Sequence, residues 1–330
     1  MRDDLAPFVP QGGSDFPPDW ERIMSDPARW KRSVEAVCAE HGLPVEGRIQ
    51  PGVAGSHAVF LTRDLVVKIY AAPWTIWFRR EVESLQLLAQ FPAAKTPRLL
   101  AFGDAAGGDP QHPYLVMERL PGASLDRVWD DLTERERISL AEQVGQMVRV
   151  LHAAPIAGLT AFVTDPEDWV RIIQARAKSC TAYLSEEERL PAHLLPQVEG
   201  WLEKNLPFLT PDFKPCLLSA DLHADHILVR RVKGRWQVTG HIDLGDAEVG
   251  PSDYEWEALC LSAFRGGSSC VRALLEAWGG PSPLVGAARR RLKLYTLLHR
   301  FAEPAYPAQA AGKPTDVPDL ETFLDSLWTS

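Results

Sequence analysis

The stretch Cys216-Leu-Leu-Ser-Ala-Asp221-Leu-His-Ala-Asp-His226-Ile-Leu-Val229, followed by Gly240-His-Ile-Asp243-Leu-Gly-Asp246, decides how the rest of the chain is read. Two short apolar runs each end in a carboxylate, and Lys233-Gly234 between them has the composition of a tight hairpin turn. Asp221 therefore sits on a loop between β-like segments, with His226 five residues on and Asp243 after the hairpin. The set offers one base and two ligands for a divalent cation.

Working upstream, Ala58-Val-Phe-Leu-Thr62 and Leu65-Val-Val-Lys68-Ile-Tyr70 read as strands around a turn at Arg63-Asp64. Residues 75–90 have helical spacing, and 97–102 and 113–117 read as two further strands. An earlier helix is expected between an Asp26 cap, with Pro27 at its first position, and a stop at Gly42. Residues 1–19 are expected to form a loose arm. At Leu120-Pro-Gly122 the pattern changes, and this is the expected hinge. Ser124 suits the cap of a short helix, and Thr133-Glu-Arg-Glu136 has capping-box spacing for a long helix reaching His152. Further helices are expected over 166–184, 193–207, 251–263, 267–278, 284–303 and 318–329. The fold class is α+β: a small β-rich lobe (1–118) before a larger helical lobe (119–330).

The chain has 330 residues, enough for one large or two medium domains, and 45% hydrophobic residues, ordinary for a packed core. Its formal charge of −9 argues against nucleic acid or an anionic membrane as partner and accommodates a cationic ligand. Most of the eleven tryptophans, Trp30 and Trp201 among them, are expected in the core. Five scattered cysteines without a C-x-x-C pair suggest reduced thiols, and the sequence shows neither a signal peptide nor a membrane span. A cytoplasmic monomer or homodimer is the expectation.

Lys68 is the lone cation of an apolar strand, and Glu81 lies where the next helix could present a carboxylate to it. Such a pair holds lysine against nucleotide phosphates in kinases; an edge strand with lysine facing water is the alternative. Pro51-Gly52-Val-Ala-Gly55-Ser56 could bring backbone amides and a hydroxyl to an anion, or be an ordinary turn. The acidic run Ser185-Glu-Glu-Glu188 reads as a solvated face. Taken in order, a Gly-containing loop, a strand Lys, a helix Glu, an Asp loop and a second Asp form the layout of kinase-type phosphoryl transfer.

On these motifs the chain resembles the aminoglycoside phosphotransferases, a protein-kinase-like family whose signature runs H-G-D-x-x-x-x-N, then I-D-[FLW]-[GS]-[DR]. The resemblance extends from about residue 25 to the C-terminus. Glu40–Val45, Pro113–Met117, Leu261–Gly266 and Leu320–Trp328 are similar to the hygromycin B 7''-phosphotransferase branch. It implies a two-lobed kinase-like fold and transfer of the γ-phosphate of ATP or GTP to a hydroxyl of a small, cationic molecule. It implies Asp221 as base, Mg2+ on Asp243 and His226, and Lys68 on phosphates, held by Glu81. Gly52, Gly55 and Ser56 would cradle the phosphates, Met117 would line the adenine pocket, and the backbones of Glu118 and Leu120 would bond the base. Glu255 would brace the catalytic loop. Acceptor candidates are Asp246, Asp253, Trp256, Glu257, Tyr295 and Tyr306.

Two departures stand out. Ser219 occupies the usual histidine position, where its hydroxyl could still bond backbone. His226 replaces asparagine, as it does in the 2''-phosphotransferases it resembles there; an imidazole favours manganese beside magnesium, or contacts a metal-bound water. His223 is expected to pack or hydrogen-bond within the loop. Kinases of cellular sugars or amino alcohols, and a nucleotide-binding pseudokinase, are the other readings.

Overall fold

The computed structural model describes residues 22, 24–52, 56–70, 75–105 and 112–328. The expected N-terminal arm and Gly55 lie outside them.

Strands β1 (Gln50–Pro51), β2 (Ala58–Leu61), β3 (Leu65–Ile69), β4 (Leu99–Ala105) and β5 (His112–Glu118) form one antiparallel sheet in the order β1-β2-β3-β5-β4. Strand periodicity divides β3 between two cores. Leu65, Val67 and Ile69 join Phe60 and Val116 against Val34 and Val37 of the helix Pro27–Glu40. That helix starts where expected: the Asp26 carboxylate accepts from the Ala28 amide at 2.9 Å. On the opposite face Val66, Leu115 and Met117 pack with Val82, Leu85 and Leu88 of the helix Thr75–Leu88. The same cluster takes in Leu151, Phe162, Leu217, Leu244 and Val249, so one core crosses between the lobes.

In the helical lobe the Thr133–Glu136 capping box opens the helix Glu134–Ala153, which buries Leu140, Val144, Met147 and Val148. This helix lies against Ser268–Trp278 at Gly145, where a Cβ would come within 2.2 Å of the Leu274 carbonyl oxygen. Strands β8 (Ile227–Val232) and β9 (Arg235–His241) make the expected hairpin, with positive φ at both Lys233 and Gly234. The short β6 (Ala123–Ser124) joins β8, and β7 (Cys216–Leu218) pairs with β10 (Glu248–Gly250).

Several expected helices are interrupted. The 166–184 stretch breaks at Lys178–Ser179 into Pro166–Ala177 and Cys180–Ser185. Pro196 and Pro207 confine regular helix in the next stretch to Val198–Asn205, with 3-10 turns on either side. Over 251–263 the chain runs as a 3-10 turn, Ser252–Glu255, then a π-helix, Glu257–Ala263. The helix Gly286–Leu298 ends at His299, whose backbone is extended. The five cysteines are unbridged and buried. No helix among the described residues is long and apolar enough to cross a membrane.

The contact at Gly145 gives a direct test. Gly145→Ala should lower stability by about 1–3 kcal/mol despite its better helix propensity, because the Leu274 backbone has to move. Urea denaturation measures this; an unchanged or raised midpoint would mean that the helices are not packed backbone to backbone there.

Candidate active site

Lys68 lies on the interlobe face of β3, buried to 3% exposure. Its ammonium donates to Glu81 Oε2 and to Asp243 Oδ1, each at 2.8 Å. The edge-strand alternative therefore fails, since β3 is flanked by β2 and β5. Burial works to lower the Lys68 pKa, but Asp243 and Glu81 outweigh it and hold the ammonium above its ordinary value. Asp243 responds in the opposite sense: burial alone would raise its carboxyl pKa, but Lys68 and His226 keep it well below the carboxylate range. The Tyr70 hydroxyl also donates to Glu81.

The helix carrying Glu81 is fastened below as well. Glu83 accepts from the Thr160 and Ala161 amides at 2.8 and 3.0 Å, and Arg80 donates to the Ala161 carbonyl at 3.3 Å. The Thr160 and Ala161 bonds overcome the effect of burial and hold the Glu83 carboxyl below its ordinary pKa.

Asp221 follows β7 on a loop that begins with Ala220 at φ 61°, and Asp243 follows β9 at φ 64°. Neither is glycine, so each holds a backbone conformation costly to an L side chain. The Ser219 and Ala220 amides are anchored by Glu255 Oε2 and Oε1 at 2.8 and 3.2 Å. The Ser219 hydroxyl, expected to bond backbone, is buried without a hydrogen-bond partner. An imidazole reaches the brace from elsewhere. His152 Nδ1 accepts from the Trp278 indole at 3.2 Å, so its Nε2 carries the proton and faces Glu255 Oε2 at 3.4 Å.

His226 bridges the two acids. Its Nδ1 donates to the Asp221 carbonyl at 2.7 Å, which leaves Nε2 as the lone-pair nitrogen, 3.8 Å from Asp243 Oδ2. Its Nδ1 also lies 3.6 Å from Asp221 Oδ2. Burial, then Asp246 and Asp243, raise the Asp221 pKa well above its ordinary value, against the opposing charges of His223 and Arg300. A carboxyl shifted upward in this way holds its proton more readily than an ordinary aspartate.

The acceptor candidates separate. Asp246 is brought to the site, where its Oδ1 accepts from the Trp77 indole at 2.7 Å and faces Arg300 at 3.2 Å. Asp253 is already ion-paired with Arg291 at 2.6 Å. Trp256 is fully buried, its ring edge-on to Trp278, and belongs to the core. Tyr295 is buried against Tyr254, and Tyr306 is exposed. Glu257 is buried, and burial followed by the Asp221 charge pushes its carboxyl up to about 8, so it is neutral at pH 7. The candidates thus differ in burial and pairing, which sequence alone does not distinguish.

Gly52 donates its amide to the Val59 carbonyl at 2.7 Å, leaving its Cα hydrogens packed against the Val59 side chain. Ser56 is exposed at the other end of that loop. Met117 is buried, the Glu118 amide bonds Arg98 O at 3.0 Å, and Leu120 is half-buried. Sequence reasoning missed His152, Trp77, Arg300 and Glu83. Only spacing from the signature residues could have pointed to them, and no motif here encodes that spacing.

A model described as the phosphotransferase enzyme family matches residues 49–295. Among solved structures, the GDP complex of wild-type aminoglycoside 2'-phosphotransferase-IIIa aligns at a TM-score of 0.64 with 16% identity, covering 90% of this chain and 96% of that one. Aminoglycoside phosphotransferase APH(3'')-Id from Streptomyces rimosus, bound to ADP and streptomycin, aligns at 0.59 with 18% identity, covering 83% and 98%. These likenesses establish the kinase-like fold. A curated protein, lysine-specific demethylase JMJ21 of Arabidopsis thaliana, is 22% identical over 204 residues, which is 51% of this chain. The chain spans only 22% of that protein's length, so the likeness is to one segment of it.

The raised Glu257 pKa sets the sign of a stability test. Between its unfolded value near 4.3 and about 8, the native state alone holds the proton, so stability falls as pH rises through that window. Glu257→Gln removes this slope and should gain on wild type by a few kcal/mol between pH 5 and pH 8.5. Parallel denaturation curves for the two proteins at both pH values would refute it.

Proposed function

The chain belongs to the phosphotransferase enzyme family, and from that premise we propose that it transfers the γ-phosphate of ATP or GTP to a hydroxyl of an aminoglycoside, with hygromycin B among the candidate acceptors. The observation that carries the reading is the junction of Lys68 with Glu81 and Asp243, joined through His226 to Asp221. The GDP, ADP and ATP complexes of structurally similar phosphotransferases, several with an aminoglycoside, support it.

In this reading the lobe formed by residues 1–118 binds the nucleotide. Backbone around Gly52 and Gly55, with Ser56, approaches the phosphates, while Met117, Glu118 and Leu120 line the adenine side. Lys68, oriented by two carboxylates, is presented to phosphate oxygens rather than wandering in solvent. Residues 119–330 supply the acceptor side, where Asp221 accepts a hydrogen bond from the attacking hydroxyl and aligns it for in-line attack.

A divalent ion fits the donor set, because the Asp243 carboxylate, held ionised by Lys68, and the His226 Nε2 face the same gap 3.8 Å apart. His226 and Asp243 would hold Mg2+ or Mn2+, which neutralises charge on the phosphates of the bound nucleotide. Burial of the five thiols without disulfides supports a cytoplasmic setting.

One observation favours a second reading. Asp253 is neutralised by Arg291 and Glu257 is protonated, so Asp246, itself beside Arg300, is the one acceptor candidate left to carry charge in the site. A less cationic metabolite, such as a sugar or amino alcohol, needs fewer anionic partners.

Asp221→Asn should retain nucleotide affinity while turnover falls by about 10²–10⁴-fold. Full turnover would remove Asp221 from its role. In the wild type the acid limb of kcat should lie above the ordinary carboxylate range, because loss of rate follows protonation of a carboxyl with a raised pKa. Phosphate transfer across panels of aminoglycosides, sugars and amino alcohols decides the acceptor. Transfer only to metabolites overturns the aminoglycoside assignment; nucleotide binding with transfer to none leaves a pseudokinase.

A further inference from the structure

Phosphotransfer in the proposed form leaves one imidazole of the catalytic loop unused. His223 stands 31% exposed beside Asp221 and His226, its ring 4.0 Å from that of His226 at an interplanar angle of 38°. One ligand atom from each of Asp221, His223 and His226 lies within 4.8 Å of the other two. The His223 Nε2 and His226 Nδ1 lie 3.8 and 3.6 Å from the same Asp221 oxygen, Oδ2. Both spacings exceed a hydrogen bond and approach the ~3.4 Å edge between ligands that sit about 2.1 Å from a tetrahedral ion.

The supporting contacts suit a metal as well. The His223 Nδ1 faces Asp225 Oδ2 at 3.9 Å, placing a carboxylate behind the ring, as is common for metal-bound imidazoles. The Ser124 hydroxyl donates to Asp225 Oδ1 at 3.4 Å and holds it in place. Main-chain bonds from His223 N to Asp221 O and from His226 N to His223 O, each 3.0 Å, fix the spacing of the three residues. A set of two imidazoles and a carboxylate selects borderline ions such as Zn2+ and Co2+ over magnesium, which prefers oxygen.

We propose that Asp221, His223 and His226 form a transition-metal site whose occupation switches the enzyme off. An ion there draws the Asp221 carboxylate away from the acceptor hydroxyl. To ligate the ion, His226 Nδ1 gives up its bond to the Asp221 carbonyl and the ring proton moves to Nε2, so that no lone pair faces Asp243. The inhibitory consequence rests on the phosphotransfer reading; metal binding itself does not.

The experiment uses the full chain, freed of metal with a chelator, without nucleotide. Zn2+ is titrated by calorimetry and Co2+ by visible absorption. Wild type should bind one ion per chain, with Co2+ bands of tetrahedral intensity, and His223→Gln should weaken both ions by about tenfold or more. Circular dichroism melting verifies that the variant is folded, as the exposure of His223 leads one to expect. In a second arm Zn2+ is added to wild type turning over with excess magnesium. Half-inhibition should shift upward by about tenfold or more in His223→Gln, whose zinc-free turnover should stay within about twofold of wild type. Equal zinc affinity in the two proteins overturns the site. Weakened binding with unchanged zinc inhibition overturns the switch. Should wild type transfer phosphate to no acceptor, the phosphotransfer reading fails while calorimetry still decides whether the site exists.

Discussion

One ammonium group ties this structure together. Lys68 is supplied by the sheet, Glu81 by the helix packed on it, and Asp243 by the hairpin of the other lobe. A lone charge at that depth would cost several kcal/mol of desolvation, so removing either carboxylate leaves the Lys68 ammonium less compensated. The junction therefore works as a registration device. It fixes the depth of the helix, the height of the hairpin and the direction of the lysine in a single set of contacts. The hydrophobic cluster that crosses the lobes packs on the helix and strand that carry Glu81 and Lys68, both buried, while the Asp243 carboxylate stays partly open to solvent.

The loop that carries Asp221 is positioned by a different device. Ala220 and Asp243 hold left-handed backbone, and the Glu255 carboxylate supplies both oxygens to consecutive loop amides. Where the family signature has histidine the chain has Ser219, whose hydroxyl makes no bond. His152 brings an imidazole to the same carboxylate from the helix Glu134–Ala153, oriented by the Trp278 indole. The loop amides and the His152 ring thus meet on one carboxylate, that of Glu255.

Much of this was legible in the residues themselves. Alternation in Leu65–Ile69, the Lys233-Gly234 turn, the Asp26 cap and the Thr133–Glu136 box are local rules, and the chain obeys them. The family resemblance extended that reading to the kinase-like layout. What local rules do not contain is burial. Glu257, in the π-helix, and Trp256, just before it, look like ligand-facing residues until both are seen to be buried, and Asp253 looks anionic until Arg291 is seen beside it. The stretch 193–207 is interrupted for a local reason: Pro196 and Pro207 confine regular helix to Val198–Asn205.

The fastening of Glu83 to the Thr160 and Ala161 amides has a consequence for control. Kinases that respond to signals swing the corresponding helix outward and so separate the lysine from its glutamate. Here that excursion would strip a carboxylate of its main-chain donors as well as its glutamate neighbour of Lys68. Bonds from the Thr160 and Ala161 amides thus tether this helix to the other lobe at the turn that carries Glu83, and the Lys68–Glu81 contact inherits that restraint.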